Sequence, residues 1–428
     1  MAVNLTADFS LHLPGPEDIT RIELPNGVIV LSRADYNSAS VAISGYLQVG
    51  ALLDPDEKLG LADFTASTLM RGTQEHNFHQ IYDSLETVGA SLSIGSGTHT
   101  TFFGGKALAE DLEVVLALLA EALCQPLFPP EQVERLRAQL LTGLALRAQD
   151  TGEMAGLAFD QIVYAGHPYA RPDDGYTETI QAIQREDLVN FHHSYFGPRG
   201  MTIAIVGGIP PEKAVELVHK YLGAWQNPLQ PDPMHLPPLE PLSMKTSRRV
   251  DIPGKSQADV VIGRAGPPRT APDFLAASLG NNILGQFAMM GRVGKAVREI
   301  AGLAYYAASS LGGGQGPGAW QVSAGVDPQT IDPAIELICQ EIRRFAQEPV
   351  TEDELLDSQA NYIGRLPISL ESNVGVASAL LNLERYGLGL DFYRRYPDMV
   401  RSITQEQVLQ AARHYLDPDR LAIAVAGP

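Results

Sequence analysis

Tyr195–Gly207 reads Y-F-G-P-R-G-M-T-I-A-I-V-G, and Tyr415–Gly427 reads Y-L-D-P-D-R-L-A-I-A-V-A-G. The two stretches align without a gap at an offset of 220 residues. The match extends upstream, pairing Ile183 with Ile403, Glu186 with Glu406 and Leu188 with Val408. A shared ending implies two similar domains in one chain. Between them, Asn227–Leu242 carries Pro228, Pro231, Pro233, Pro237, Pro238 and Pro241. That composition favours an extended, semi-rigid connector. The reading is therefore a domain over residues 1–226, a linker over 227–242 and a second domain over 243–428, where length alone would point to about three domains.

Period-2 patterns predict strands at Val28–Ser32, Val41–Val49, Ser91–Ile94, Thr100–Lys106 and Thr202–Val206 in the first half. The second half repeats them at Val260–Gly263, Trp320–Ala324 and Leu421–Val425. Helical periodicity marks Leu61–Met70, Phe78–Val88, Leu112–Cys124, Val133–Leu146 and Lys213–Leu222, then Phe274–Leu284, Ala334–Phe345 and Glu354–Ile363. This mixture predicts an α+β fold: in each domain a mostly antiparallel sheet with helices packed on one side.

A formal net charge of −19, with no run of five basic residues, argues against nucleic acid or an anionic membrane as partner. Cys124 and Cys339 sit in apolar helical surroundings, which fits buried thiols in a reducing compartment. The opening M-A-V-N-L-T-A-D-F-S-L-H-L-P lacks a basic segment followed by an apolar core, so no signal peptide is expected and the location is read as cytoplasmic. The uncharged stretch Ala301–Val326 is broken by the glycines and proline of Gly312–Gly318, and does not read as a membrane span.

The chemistry is carried by two short segments. Gly60–Thr73 reads G-L-A-D-F-T-A-S-T-L-M-R-G-T. It resembles the zinc-binding helix of the insulinase (pitrilysin) family, in which the inverted motif H-x-x-E-H places two histidines and a catalytic glutamate on one helix face. Here those three positions are Asp63, Ser67 and, for the glutamate, Ala66. A single carboxylate among aliphatic and hydroxyl groups does not supply the three protein ligands that a catalytic zinc needs. The family's further acidic ligand would fall near Thr142, Gly143 and Leu144, none of which is acidic. The resemblance thus implies the metallohydrolase fold of the processing-peptidase type with no metal site and no cofactor in this chain.

The second segment, Val297–Tyr306, reads V-R-E-I-A-G-L-A-Y-Y and resembles the family's R-E-x-x-G-L-x-Y stretch. In family enzymes that arginine and tyrosine, here Arg298 and Tyr305, donate hydrogen bonds to substrate carbonyls and to the oxyanion of the tetrahedral intermediate. Such donors are worth about 2.7–4 kcal/mol each in well-studied hydrolases. The structural alternative puts Arg298 at a helix end and the Tyr305 ring in a core at the start of a strand.

The resemblance runs from L-P-N-G at Leu24–Gly27 through G-H-P-Y-A-R-P at Gly166–Pro172 to the closing strand. It implies a non-catalytic subunit whose Arg298 and Tyr305 act on an unstructured peptide at the zinc site of an H-x-x-E-H-bearing paralogue. A structural role like that of the core proteins of the respiratory cytochrome bc complex, or a homodimeric peptide-binding protein, are the alternatives. Other candidates are weaker. His76 and His79 have a metal-ligand spacing without a third ligand, and the adjacent His192 and His193 point apart on a helix. Gly312–Gly318 lacks the Lys-Ser/Thr of a phosphate loop and reads as a flexible hairpin tip. Leu284–Gly291, at the position of the processing peptidase's glycine-rich substrate loop, holds only two glycines.

Overall fold

The computed structural model describes residues 13–286 and 291–428. The reading of the N-terminal 14 residues, save the last two, and the centre of the Leu284–Gly291 stretch lie outside the described residues. In chain order the strands are β1 (Thr20–Glu23), β2 (Ile29–Ala34), β3 (Ser40–Leu47), β4 (Ser91–Ser96), β5 (Thr101–Leu108), β6 (Thr202–Gly207), β7 (Thr246–Asp251), β8 (Ala258–Ala265), β9 (Ala304–Leu311), β10 (Ala319–Val326) and β11 (Ala422–Gly427). The helices are α1 (Leu61–Thr68), α2 (Phe78–Thr87), α3 (Leu112–Cys124), α4 (Pro130–Arg147), α5 (Thr151–Val163), α6 (Thr177–Ala182), α7 (Arg185–Tyr195), α8 (Pro211–Leu222), α9 (Phe274–Asn281), α10 (Ile331–Gln347), α11 (Glu352–Ser369), α12 (Asn373–Arg385), α13 (Phe392–Arg401) and α14 (Gln405–Tyr415).

Two sheets form, one in order β1-β2-β6-β3-β5-β4 and the other β7-β11-β8-β10-β9. Setting β1 aside, the two orders superpose strand for strand. Each has one parallel pair, β2 with β6 and β7 with β11, and is otherwise antiparallel. The fold is α+β, and the repeated closing segments are the inner strands β6 and β11. All six residues of each are buried. A strand buried along its whole length is covered on both faces, which explains why T-I-A-I-V-G and A-I-A-V-A-G show no polar alternation.

In the second sheet, Ala422, Ala424 and Ala426 face a cluster with Ala155, Ala158 and Phe159 of α5, while Ile423 and Val425 point to the other face. Alanines stand where the helix approaches closely, and branched side chains fill the wider side. The first sheet is built alike. Arg385 of α12 stacks on the Tyr46 ring at 4.2 Å, and Tyr46 pairs with Thr202, so α12 covers the face of Thr202, Ala204 and Val206.

The compact units do not follow the linear halves. One comprises residues up to Thr142, Pro172–Met234 and Arg365–Tyr396; the other comprises Gly143–Arg171, His235–Gly364 and Pro397–Pro428. Hence α5, from the first half of the sequence, packs on β11, β8 and β7, and α12, from the second half, packs on β6 and β3. The connector from Asn227 to Leu242 contains neither helix nor strand. Gln230 ties it down, accepting from the Arg199 backbone N–H at 3.1 Å and donating to its carbonyl at 2.9 Å. Gly312–Gly318 does form the β9–β10 turn, but a packed one, since a Cβ on Gly316 would meet the Tyr169 hydroxyl at 2.2 Å.

Candidate functional site

Helix α1 starts at Gly60, whose φ of +91° only glycine adopts at little cost. The buried Asp54 caps it, accepting from the N–H groups of Gly60 and Ala62 at 2.8 Å each. The helix packs against α7 and β4. Asp63 and Ser67 are half-buried, and Ala66 is buried. The Thr65 and Thr68 hydroxyls are committed to the carbonyls of Leu61 and Phe64, both at 2.7 Å.

Burial, helped by the nearby charges of Asp174 and Asp173, pushes the Asp63 carboxyl up to about 6. A zinc site works in the opposite sense, because a bound cation favours the ionised carboxylate. The donor set of Asp63, Ala66 and Ser67 does not fit zinc: Ala66 offers no ligand atom and Ser67 only a neutral hydroxyl. Of the positions downstream on α4, the Thr142 hydroxyl donates back to Ala138 at 2.8 Å and Leu144 is buried. Among the described residues, no three His, Cys, Asp or Glu side chains are grouped to hold a metal ion.

His76 and His192 are engaged within the fold. His76 Nδ1 lies 2.8 Å from Glu121. His192 hydrogen-bonds the Leu123 carbonyl at 2.8 Å and stacks on Phe196, and burial lowers its pKa to about 4. Burial pushes the Cys124 thiol up to about 12, and both cysteines are free.

The Arg/Tyr segment is anchored at its start. Arg292 forms a two-pronged ion pair with Glu354 of α11 at 2.7 and 2.6 Å, and this holds the Glu354 carboxyl at about 2. The helical turn Gly294–Ile300 follows, with Val297 buried and Arg298 half-buried. Gly302, at φ +65°, then reverses the chain into β9. Strand β9 is an edge of its sheet.

At the start of β9 the pairing with β10 shifts register: Tyr306 faces Gly325 while Ala304 faces Val326, so Tyr305 is the extra residue of a β-bulge. Strict alternation would turn Tyr305 to the buried side, with Ala307 and Ser309. The bulge turns it out, to 61% exposure beside an exposed Tyr306. Its ring is not in a core, which removes the structural alternative for this residue. Among the described residues, neither Arg298 nor Tyr305 has a hydrogen-bond or ion partner.

Tyr306 holds the bulge from beneath. Its hydroxyl donates to the buried Asp259 at 2.5 Å, and burial and that carboxylate push the phenol's pKa up. Asp259 also accepts from Thr151 at the start of α5 at 2.5 Å and from Gln257 at 3.1 Å. Gly325 is required opposite, because a Cβ there would sit 2.5 Å from the Tyr306 ring. Sequence reading missed Tyr306, Asp259 and Thr151. The doubled Tyr-Tyr opening a strand was the available signal, since period-2 alternation allows only one of the pair to face out. Asp63, Ala66 and Ser67 belong to the first unit, and Arg298 and Tyr305 to the second.

Residues 29–164 match the family description "Insulinase (Peptidase family M16)", and residues 182–362 match "Peptidase M16 inactive domain". An uncharacterized zinc protease of Mycobacterium leprae is 25% identical over 96% of this chain and 92% of its own length. A probable mitochondrial-processing peptidase subunit beta of Arabidopsis thaliana is 25% identical over 64% of this chain and 52% of its own length. Cytochrome b-c1 complex subunit 1 of Mus musculus is 24% identical over 67% of this chain and 59% of its own. Among solved structures, the peptidase M16 inactive domain from Pseudomonas fluorescens superposes with a TM-score of 0.89 at 24% identity, over 96% of this chain and 98% of that one. A protease from Helicobacter pylori gives 0.86 at 19% identity, over 97% and 100%. With both halves matched in order and the α+β repeat in place, the chain belongs to the insulinase (peptidase M16) family.

Proposed function

We propose that the chain is the non-catalytic subunit of a two-chain zinc metallopeptidase similar to the processing peptidases. It lends Arg298 and Tyr305 to a peptide bound at the zinc site of an H-x-x-E-H-bearing paralogue. The observation that carries the reading is the bulge that turns Tyr305 out of its sheet at an edge strand, seven residues after an Arg298 that has no hydrogen-bond or ion partner among the described residues. A guanidinium and a phenol presented without internal partners are donors available to carbonyls and to a developing oxyanion. An extended peptide suits such a place, where it adds a strand to an open edge. Helix α1 supports the same division of labour, since Asp63, Ala66 and Ser67 leave the metal to the other chain.

The test is cleavage of an unstructured peptide by this chain alone, by an intact H-x-x-E-H paralogue alone, and by the two together. Activity is expected only from the mixture and is lost on zinc chelation. A scaffold role is the second reading, favoured by the likeness to the mouse complex subunit. It predicts that Arg298→Ala and Tyr305→Phe leave turnover of the mixture unchanged.

A further inference from the structure

The second unit contains a cavity of about 560 Å³ that neither site segment touches. It lies between the end of β8, the C-terminal turn of α14 and the Leu239–Leu242 stretch of the connector. Its volume falls in the range of sites that enclose small organic ligands. Part of the lining is apolar, with Val163, Leu242, Pro268 and Pro317.

Arg264 lines the same cavity from the other face of β8, the side of its cross-strand partner Trp320, because its neighbour Ala265 is the one that packs with Val163. Arg264 is half-buried and has no hydrogen-bond or ion partner among the described residues. Burial disfavours its charge, and Asp417 offsets this only at a distance while Arg420 opposes. The remaining cations of the lining are already engaged. Arg420 pairs with Asp417 at 3.3 Å, and Arg413 donates to the carbonyls of Ala346 and Gln347 at 3.2 and 3.4 Å. His414 lies 3.8 Å from Asp273. Glu240, the other acid of the lining, is exposed at the rim. A half-buried guanidinium with free planar donors presents a fork that matches a carboxylate in two-pronged fashion.

We propose that the cavity binds an aliphatic carboxylate, its headgroup on Arg264 and its hydrocarbon against Val163, Leu242 and Pro317. The chemistry is common to the carboxy-terminus of an aliphatic peptide and to a medium-chain fatty acid. The proposal does not depend on the role given to Arg298 and Tyr305.

Calorimetry on the full chain tests it with three probes: N-acetyl-leucyl-leucine, the same dipeptide as its C-terminal amide, and octanoate. Saturable binding of at least one acid is expected, with the amide at least about tenfold weaker than the dipeptide acid wherever the latter binds. Arg264→Gln weakens the bound acid by a similar factor, and an unchanged melting temperature shows that the variant is folded. Binding of the dipeptide acid alone assigns peptide ends, binding of octanoate alone assigns fatty acids, and comparable binding of both assigns the shared chemistry. No saturable binding of either acid up to about 10 mM, an amide as tight as the acid, or full affinity in folded Arg264→Gln overturns the proposal.

Discussion

The two sheets share a strand order and differ at their edges. Strand β4, the edge of the first, reads S-L-S-I-G-S, without an aromatic residue, and pairs in unbroken register with β5. Strand β9, at the same place in the second, opens with two tyrosines and a bulge. The inner strands β6 and β11 have kept their packing: Ala204 matches Ala424, and Ile205 matches Val425, at the offset of the repeat. Duplicated domains retain what fills the space between sheet and helix, because volume errors there cost several kcal/mol, and diverge where a strand edge meets solvent.

Replacing the side chains that hold the exchanged helices is expected to have the largest effect. Phe159 of α5 is fully buried on the second sheet, and Phe159→Ala should cost about 3–5 kcal/mol in denaturant unfolding. Its counterpart in α12, Leu381, is 9% exposed, and Leu381→Ala should cost about 2–5 kcal/mol. A loss below about 1 kcal/mol in either would deny that the two helices are equivalent covers.

Two carboxylates, one in each unit, should respond to pH in opposite senses. Asp63 has its pKa raised to about 6 from 3.8, so the folded state holds its proton more tightly and the ionised form destabilises it. Asp63→Asn should leave stability unchanged near pH 4 and raise it, by up to about 3 kcal/mol, above pH 7. Glu354, lowered to about 2 from 4.5 beside Arg292, contributes stability above pH 4.5 that is lost as pH falls toward 2. Glu354→Gln should therefore destabilise at pH 7, by about 1–3 kcal/mol after screening at this partly exposed pair. Unfolding curves of the two variants at pH 4, 5.5 and 7 check both signs; shifts in the same direction would contradict the assigned environments.

Smaller effects concern the edge. In the two-chain assay, Arg298→Ala and Tyr305→Phe should each lower kcat/KM by more than about tenfold, roughly 1.4 kcal/mol or more. Tyr306→Phe, which keeps the ring but removes one of the hydrogen bonds to Asp259, should lower it less than Tyr305→Phe and should also cost about 1–2 kcal/mol of stability, which Tyr305→Phe should not. Equal stability losses in both would mean that the bulge does not separate their roles.

Much of this was legible in consecutive residues. The strands of both sheets other than β1, β7 and β9 were predicted within about two residues, because each alternates or runs apolar over its length. The same is true of α1, α2 and α3. Helices α5 and α12 escaped notice, since Gly152, Gly156 and Gly375 and scattered alanines blur their apolar stripes. In α5, Ala155 and Ala158 are small because the helix lies close on the alanines of β11, a reason found in the partner strand and not in the helix itself. The register slip at Tyr305 was equally invisible, as it depends on Gly325 across the ladder.

By itself, the sequence determined that the chain is a duplicated α+β protein, that Asp63, Ala66 and Ser67 stand where zinc chemistry needs other groups, and that an Arg and a Tyr remain in the second half. The duplication follows from residue type and spacing, which are local, and the two site readings follow from the resemblance of short local segments to the motifs of the family. Only the tertiary structure decided that each sheet is covered by a helix from the other half, and that Tyr305 faces out beside a Tyr306–Asp259–Thr151 linkage. Those outcomes rest on contacts such as Thr151 with Asp259, 108 residues apart, and no local pattern encodes the partner of a hydrogen bond made across that distance.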